Sequence, residues 1–328
     1  MRAIQISHTG GPEVLELKDL PTPSPAAGQA LIRIEASGVN FIDIYFREGR
    51  YPSPVPFIPG QEAAGTIEAF GPDIPGQPTL FKVGDRVAWC GVPGTYAEYA
   101  LAPTVRLVRV PDGVTSQQGA ASLLQGMTAH YLAFSTYAIQ AGDSVLIHAG
   151  AGGVGQILIQ IAKRLGARVL TTVSTDEKAA LAREAGADDV IFYTREDFPA
   201  RVREFTGGKG LPVVYDSVGK TTFEGSLACL RPRGLLALFG GSSGPVPPFD
   251  LIELSHKGSL FVTRPRLNDY MATREELENR SGDIFGWIAD GSLKLRLEHT
   301  YPLAQAAQAH RDLEARKTTG KILLFPGS

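Results

Sequence analysis

Cysteine is nearly absent: 328 residues contain two, Cys90 and Cys229, far apart and with no Cys or His beside them at metal-ligand spacing. A disulfide framework and a cysteine-rich zinc site are excluded, and both thiols read as reduced, buried small hydrophobes. The six histidines (8, 130, 148, 256, 299 and 310) are equally dispersed and read as structural or surface residues. No tyrosine is followed four residues later by lysine. Alcohol oxidation needs a Lewis acid or a tuned acid/base to manage the alcohol proton, and neither is visible. Charge of one sign is also missing. Lysine plus arginine total 32 against 34 acidic residues, so no field points to nucleic acid or an anionic membrane surface.

Long uninterrupted hydrophobic runs are scarce. Val145 to Ala162 lacks Asp, Glu, Lys and Arg over eighteen residues, but four glycines, His148, Gln156 and Gln160 interrupt it. That texture suits a buried strand, a tight turn and a buried helix better than a membrane span. The opening MRAIQISHTG lacks the charged start and apolar run of a secretory signal, so the expected location is cytoplasmic. No internal repeat, low-complexity tract or long charged linker occurs.

What is present suggests two domains, the starting expectation for this length with 43% apolar residues. The first third is punctuated by Pro and Gly (PTPSPAAG, REGRYPSPVP, GPDIPGQP, VPDG) between short runs such as ALIRIEA, GTIEAF, DRVAW and YAEYAL. Closely spaced strands in a small barrel or sandwich follow from this. From about Leu123 the runs SVLIH, RVLTTV, DDVIFY, PVVYDSV, LLALFG and SLFVT alternate with helical stretches, the signature of a parallel sheet of βαβ units. Two further helices are expected near Thr273 to Ile288 and Leu303 to Arg316, then a last apolar strand, KILLFP.

Residues 150 to 155 read GAGGVG, a G-x-G-x-x-G match that follows an apolar strand, opens an amphipathic helix and leads to a second strand. Gly150 is assigned the tight turn, Gly152 the close approach of backbone to a pyrophosphate, and Gly155 close packing of helix on strand. The helix N-terminus adds free N–H groups and a favourable dipole. Downstream the second strand ends in Val173, Ser174 and Thr175, with Lys178 close behind. Hydroxyls and a cation stand where a carboxylate would bind the ribose of NADH, which predicts NADPH. A strand end one residue later would bring Asp176 into play. Two decoys are set aside. GGSSG at 240 to 244 fits a hydrolase nucleophile elbow, with Asp250 and His299 in the required order, but runs into prolines rather than a helix. TGGKG at 206 to 210 lacks the hydroxyl residue of a phosphate loop and reads as a helix-to-strand turn.

Over nearly its whole length the chain resembles the zinc-free quinone oxidoreductase (zeta-crystallin-like) branch of the medium-chain dehydrogenase/reductase family. The motifs GVNFIDIYFREGRYP (38 to 52), PGQEAAG (59 to 65), VGDRVAW (83 to 89), HAGAGGVGQ (148 to 156), VYDSVG (214 to 219) and GSLFVTRP (258 to 265) carry the resemblance. It implies an α/β fold: a GroES-like β-rich catalytic domain, 1–123 and 268–328, around a Rossmann doubly wound parallel-sheet domain, 124–267, usually as a homodimer. Zinc-dependent relatives have Gly-His-Glu where Gly60, Gln61 and Glu62 stand, and a ligand cysteine near Asn40, so no metal is expected. Asn40, Tyr45 and Tyr51 would line the nicotinamide and quinone pocket, none as an obligatory acid or base. Thr128, Gly152, Gly153, Val154, Ser217, Phe239, Gly240, Gly241, Ser242, Val262, Thr263 and Arg264 would contact the cofactor. Ser174, Lys178, Tyr193 and Arg316 would hold its 2′-phosphate. Gln125 stands where some members have lysine and receives no charge role, and His148 is a core position.

The expected activity is zinc-independent hydride transfer from NADPH to a small quinone. Reduction of an α,β-unsaturated carbonyl is the rival within enzymes. RNA binding or a structural role, as in zeta-crystallins, is a lesser rival, and the absence of a basic, aromatic-interleaved tract argues against nucleic acid as a partner.

Overall fold

The computed structural model describes residues 1–74, 76 and 80–327, so Pro75, Gln77 and Pro78 of the punctuating tract GPDIPGQP lie outside the described residues. In chain order the first strands are β1 (Arg2–Gln5), β2 (Glu16–Asp19) and β3 (Gln29–Val39), followed by helix α1 (Phe41–Arg47). Next come β4 (Glu62–Phe70), β5 (Arg86–Cys90), β6 (Tyr99–Pro103), β7 (Val108–Arg109) and α2 (Ser116–Tyr131). A regular alternation then sets in: β8 (Ser144–Ile147), α3 (Gly153–Arg164), β9 (Arg168–Val173), α4 (Asp176–Glu184), β10 (Asp189–Phe192), α5 (Phe198–Phe205), β11 (Leu211–Asp216), α6 (Phe223–Ala228) and β12 (Leu230–Leu238). After α7 (Ile252–His256) and β13 (Phe261–Thr263) the chain closes with α8 (Arg274–Ala289), β14 (His299–Pro302), α9 (Ala306–Glu314) and β15 (Ile322–Phe325).

The chain separates into two compact units, Met1–Met127 with Met271–Ser328, and Thr128–Tyr270. Among the described residues of the first, a seven-stranded sheet runs β14-β15-β3-β4-β5-β7, with β6 also paired to β3, and β1 and β2 form a separate antiparallel pair. Its pairings are antiparallel except β14 with β15. The eleven-residue β3 holds this sheet together because it pairs with β4, β6 and β15. Alternate residues Ala30, Ile32 and Ile34 face one core with Trp89 and Leu107, as period-two alternation requires. Ile322 and Leu324 of β15 face another with Ile4, Tyr96 and Ala306.

The second unit carries an all-parallel sheet in the order β10-β9-β8-β11-β12-β13. Numbered from β8, that order is 3-2-1-4-5-6, the doubly wound arrangement whose direction reverses between β8 and β11. Strands buried on both faces need continuous apolar runs, and Val145, Leu146, Ile147, Val213, Val214 and Leu236 supply them, fully buried. Helix α3 ends where Gly166 takes a φ of 81°, a left-handed stop that favours glycine. Thr206 to Gly210 is the connection from α5 to β11. No helix of the described residues is long and apolar enough to cross a membrane.

Candidate cofactor and acceptor sites

In an open parallel sheet, ligands bind beyond the carboxyl ends of the strands at the reversal point. The glycine turn stands there, between the end of β8 and the start of α3. Gly150 lies within that turn, which the Gly152 N–H closes by donating to the Ala149 carbonyl at 2.9 Å. The left-handed residue of the turn is Ala149, with φ 56°, and Gly150 is not left-handed. Gly150 is needed for space, since a Cβ there would lie 2.1 Å from the hydroxyl of Thr171 on the neighbouring strand. A Cβ on Gly155 would lie 2.4 Å from the carbonyl of Ala149, which is the close helix packing expected of it. Gly152 precedes α3 as its N-cap, and Gly153 and Val154 open the helix. Gln156 steadies the turn by donating to the Ala151 carbonyl at 2.8 Å. The first N–H groups of a twelve-residue helix have no partner within the helix and suit an anion.

Beside this turn, β9 ends at Val173 and α4 begins at Asp176. Thr175 caps α4 by accepting from the Lys178 N–H at 3.3 Å, which commits its hydroxyl and leaves Ser174 as the hydroxyl at the strand end. Tyr193 is drawn to the same edge because its N–H donates to the Val173 carbonyl at 3.2 Å. Thr194 ties the turn further, donating to the Ser174 carbonyl at 3.4 Å. Ser174, Lys178 and Tyr193 therefore share one edge. Arg316 belongs to the other unit, just beyond α9, with φ 56°.

Across the reversal point, the buried Asp216 at the end of β11 accepts from the N–H groups of Val218 (2.8 Å) and Gly219 (3.0 Å) and from the hydroxyls of Thr222 and Ser226. Ser217 lies under Gly240, whose Cβ would meet its carbonyl at 2.4 Å, and accepts from the Ser242 N–H at 3.2 Å. Phe239 follows the end of β12, and Gly241 accepts from Gly244 at 3.0 Å. Arg264, after Val262 and Thr263 of β13, donates to the Leu238 carbonyl at 2.9 Å. Its guanidinium thus ties β13 to the end of β12. After Gly244 the chain runs without helix as far as Asp250, the wrong setting for a nucleophile elbow. His148 is a core residue: its Nδ1 meets the Thr172 hydroxyl at 2.9 Å and its Nε2 the Ser226 hydroxyl at 3.0 Å. Burial holds its pKa below the usual value against the opposing charge of Asp216. Thr128, near the end of α2, is buried.

The first unit places Asn40 at the start of α1, where its N–H donates to the carboxylate of Asp43 at 2.8 Å. Its side chain is buried in a charged network. Asn40 Nδ2 donates to Glu62 Oε2 at 3.0 Å, and Asn40 Oδ1 accepts from Lys321 Nζ at 2.8 Å and from Gln125 at 3.4 Å. Lys321 also donates to Glu62, whose other oxygen accepts from the Leu124 N–H at 2.7 Å. Tyr45 is buried and Tyr51 exposed, their rings 5.4 Å apart edge to face. The Tyr51 N–H donates to the Tyr45 carbonyl at 3.1 Å.

A second buried chain lies behind α1. Arg47 can only donate, so Nδ1 of His310, 3.2 Å away, accepts. The proton assigned to Nε2 then faces the Tyr96 hydroxyl at 3.1 Å, which donates to Asp43 at 3.0 Å. Arg47 is held in turn by both carboxylate oxygens of Glu314, at 2.7 and 3.1 Å. Burial raises the Asp43 carboxyl to about 7, and its Oδ1 has no hydrogen-bond partner. Burial, with the charge of Arg47, lowers His310 to about 3. Sequence reasoning assigned no site role to Glu62, Lys321, Asp43, Tyr96 or His310. The Asp43 signal was available as the third residue after a helix cap.

The chain matches the family models described as alcohol dehydrogenase GroES-like domain, over residues 26–112, and zinc-binding dehydrogenase, over 153–276. A Pseudomonas aeruginosa protein named quinone oxidoreductase is 47% identical over 327 residues, covering 99% of each chain. A Burkholderia protein named 2-haloacrylate reductase is 43% identical over 333 residues, covering 99% of this chain and 98% of its own. The Escherichia coli quinone oxidoreductase complexed with NADPH superposes with a TM-score of 0.96 at 44% identity, covering 99% of this chain and all of that one (100%). A GroES-like fold joined to a doubly wound dinucleotide sheet defines the class of pyridine-nucleotide dehydrogenases and reductases. Within it, this chain belongs to the zinc-free quinone oxidoreductase branch of the medium-chain dehydrogenase/reductase family.

The zinc in one family model's description is not matched by the donors here. Asn40 and Gln61 are neutral amides, and the carboxylate of Glu62 already receives the ammonium of Lys321. No group of three His, Cys, Asp or Glu able to hold a metal occurs among the described residues. The dinucleotide fits better, because the glycine turn leaves no room for a Cβ at Gly150 or Gly155 and opens a helix toward the reversal point.

Proposed function

We propose that this chain is an NADPH:quinone oxidoreductase that works without a metal. The observation carrying the reading is the edge at the end of β9, where a hydroxyl (Ser174), a cation (Lys178) and a tyrosine (Tyr193) gather beside the glycine turn. Charge-assisted hydrogen bonds to a phosphate each contribute about 1.5–3 kcal/mol. Bound NADPH supplies a hydride from nicotinamide C4. Gly150, Gly152, Gly153, Val154 and Gly155 receive the pyrophosphate, Ser174, Lys178, Tyr193 and Arg316 the 2′-phosphate, and Thr128, Ser217, Phe239–Ser242 and Val262–Arg264 the remainder of the dinucleotide. Asn40, Tyr45 and Tyr51 position the nicotinamide and the acceptor. A quinone is electron-poor enough to take hydride directly and collect protons from water, so orientation suffices.

The Burkholderia relative favours a second reading, reduction of a conjugated alkene, which makes the same demands. Optical measurement of NADPH oxidation with a panel of quinones and enones separates the two. Turnover is expected with quinones, and its absence from all of them despite tight NADPH binding would overturn the substrate assignment.

The remaining assignments are proposals of the same kind. The protein acts in the cytoplasm with small-molecule partners, and neither RNA binding nor a lens-type structural role is its primary task. Its domains are 1–123 with 268–328, and 124–267. It forms a homodimer, supported by the terminal position of β13 in its sheet, where Phe261 is 60% and Val262 38% exposed.

A further inference from the structure

The edge proposed to receive the 2′-phosphate also carries an acid in the wrong place. Asp176, two residues beyond Ser174, is 86% exposed in the first turn of α4. A carboxylate near a 2′-phosphate repels it. The structure sets a cation against this acid: Nη2 of Arg195 lies 3.4 Å from Asp176 Oδ1. Arg195 comes from the turn after β10, whose parallel register sets Phe192 opposite Val173 at the end of β9. Its N–H donates to the Phe192 carbonyl at 3.0 Å, and its guanidinium lies 4.0 Å over the Phe192 ring. A planar guanidinium stacked in this way is pre-organised as a lysine ammonium is not. The side chain remains 60% exposed, so a phosphate can share it.

We propose that Arg195 is a specificity residue for the phosphorylated cofactor. It cancels the repulsion of Asp176 and offers a second cation, with Lys178, to the 2′-phosphate. The inference rests on the NADPH reading above and adds to it a residue pair that sets the degree of preference. An unpaired carboxylate would oppose the phosphate, and loss of the guanidinium would remove attraction and expose repulsion together.

Dissociation constants for NADPH and NADH, read by fluorescence titration at two salt concentrations, test this on the intact protein and on Arg195→Ala, Arg195→Lys, Asp176→Asn and the double variant. Arg195→Ala is expected to weaken NADPH about five- to tenfold and NADH less than about twofold, with the larger effect at low salt. Arg195→Lys should fall between. In the Asp176→Asn background, Arg195→Ala should cost NADPH only about two- to threefold, because the repulsion is already gone. Equal losses for both cofactors would show that Arg195 merely props the turn through Phe192, and no loss for either would show it idle. Both overturn the proposal. If the unaltered protein prefers NADH, the NADPH reading fails and this inference with it. If it prefers NADPH and Lys178→Ala destroys that preference while Arg195→Ala does not, only the inference fails.

Discussion

At the proposed 2′-phosphate edge, Lys178 would supply the charge that separates two cofactors differing by one phosphate. Replacing it with alanine should raise the KM for NADPH about tenfold or more while moving that for NADH little, measured by initial rates with each cofactor. Equal changes would remove it from the phosphate site. Gly155 offers a test of opposite kind, because its neighbour is backbone. Gly155→Ala sets a Cβ 2.4 Å from the Ala149 carbonyl. That carbonyl cannot swing aside without moving the turn, so the variant should lose about 1–3 kcal/mol of stability and bind both cofactors more weakly. Calorimetry and titration would read the two effects. Tyr51, exposed and packed edge to face on Tyr45, needs only its shape if it orients rather than protonates. Tyr51→Phe should therefore keep most of kcat in quinone reduction.

At the scale of elements, the two buried networks around α1 make predictions that the tyrosines do not. Lys321 begins β15's approach and satisfies both Glu62 and Asn40. Lys321→Met would strand a buried carboxylate, a loss of about 3–5 kcal/mol. Adding Glu62→Gln should recover part of it, as denaturant titration of the single and double variants would show. Asp43 has an unusual dependence on pH. Its folded carboxyl titrates at about 7, above its unfolded value near 3.9, so the folded state keeps a proton that the unfolded state releases. Its contribution is fully present below about pH 4 and is lost as pH rises through 7, by as much as about 4 kcal/mol. His310 has the reverse sign: held neutral down to about 3, it costs stability as pH falls from 6.5 toward 3. Asp43→Asn mimics the protonated acid, so its melting temperature should gain on the unaltered protein between pH 5 and 8. A constant offset would refute the titration.

Elements are also the scale at which the sequence was most readable. The runs SVLIH, RVLTTV and PVVYDSV became β8, β9 and β11, and the helix expected near 273 to 288 is α8, because apolar periodicity and caps are local signals. The turn was legible as a turn, but spacing cannot reveal that Thr171 on the next strand leaves no room for a Cβ at Gly150. The Glu62–Lys321 pair, 259 positions apart, leaves no local trace.

Among the described residues, β13 ends one side of the parallel sheet and carries exposed apolar side chains, Phe261 at 60% and Val262 at 38%. Unpaired backbone beside apolar side chains invites a second copy. If the proposed homodimer pairs through this edge, Phe261→Glu should shift the protein from dimer to monomer in sedimentation velocity, and an unchanged mass would exclude this edge as the interface. The first unit has another property of scale, for it is assembled from both flanks of the second. During synthesis, β3 and β4 leave the ribosome long before β15, which completes one side of β3. Until Lys321 emerges, Glu62 cannot be buried without an uncompensated charge, whereas the intervening unit is contiguous in the chain. The order of birth is therefore the reverse of the order of completion: the contiguous unit can mature first, and the flanking unit, begun first, waits for the last strand to deliver its lysine.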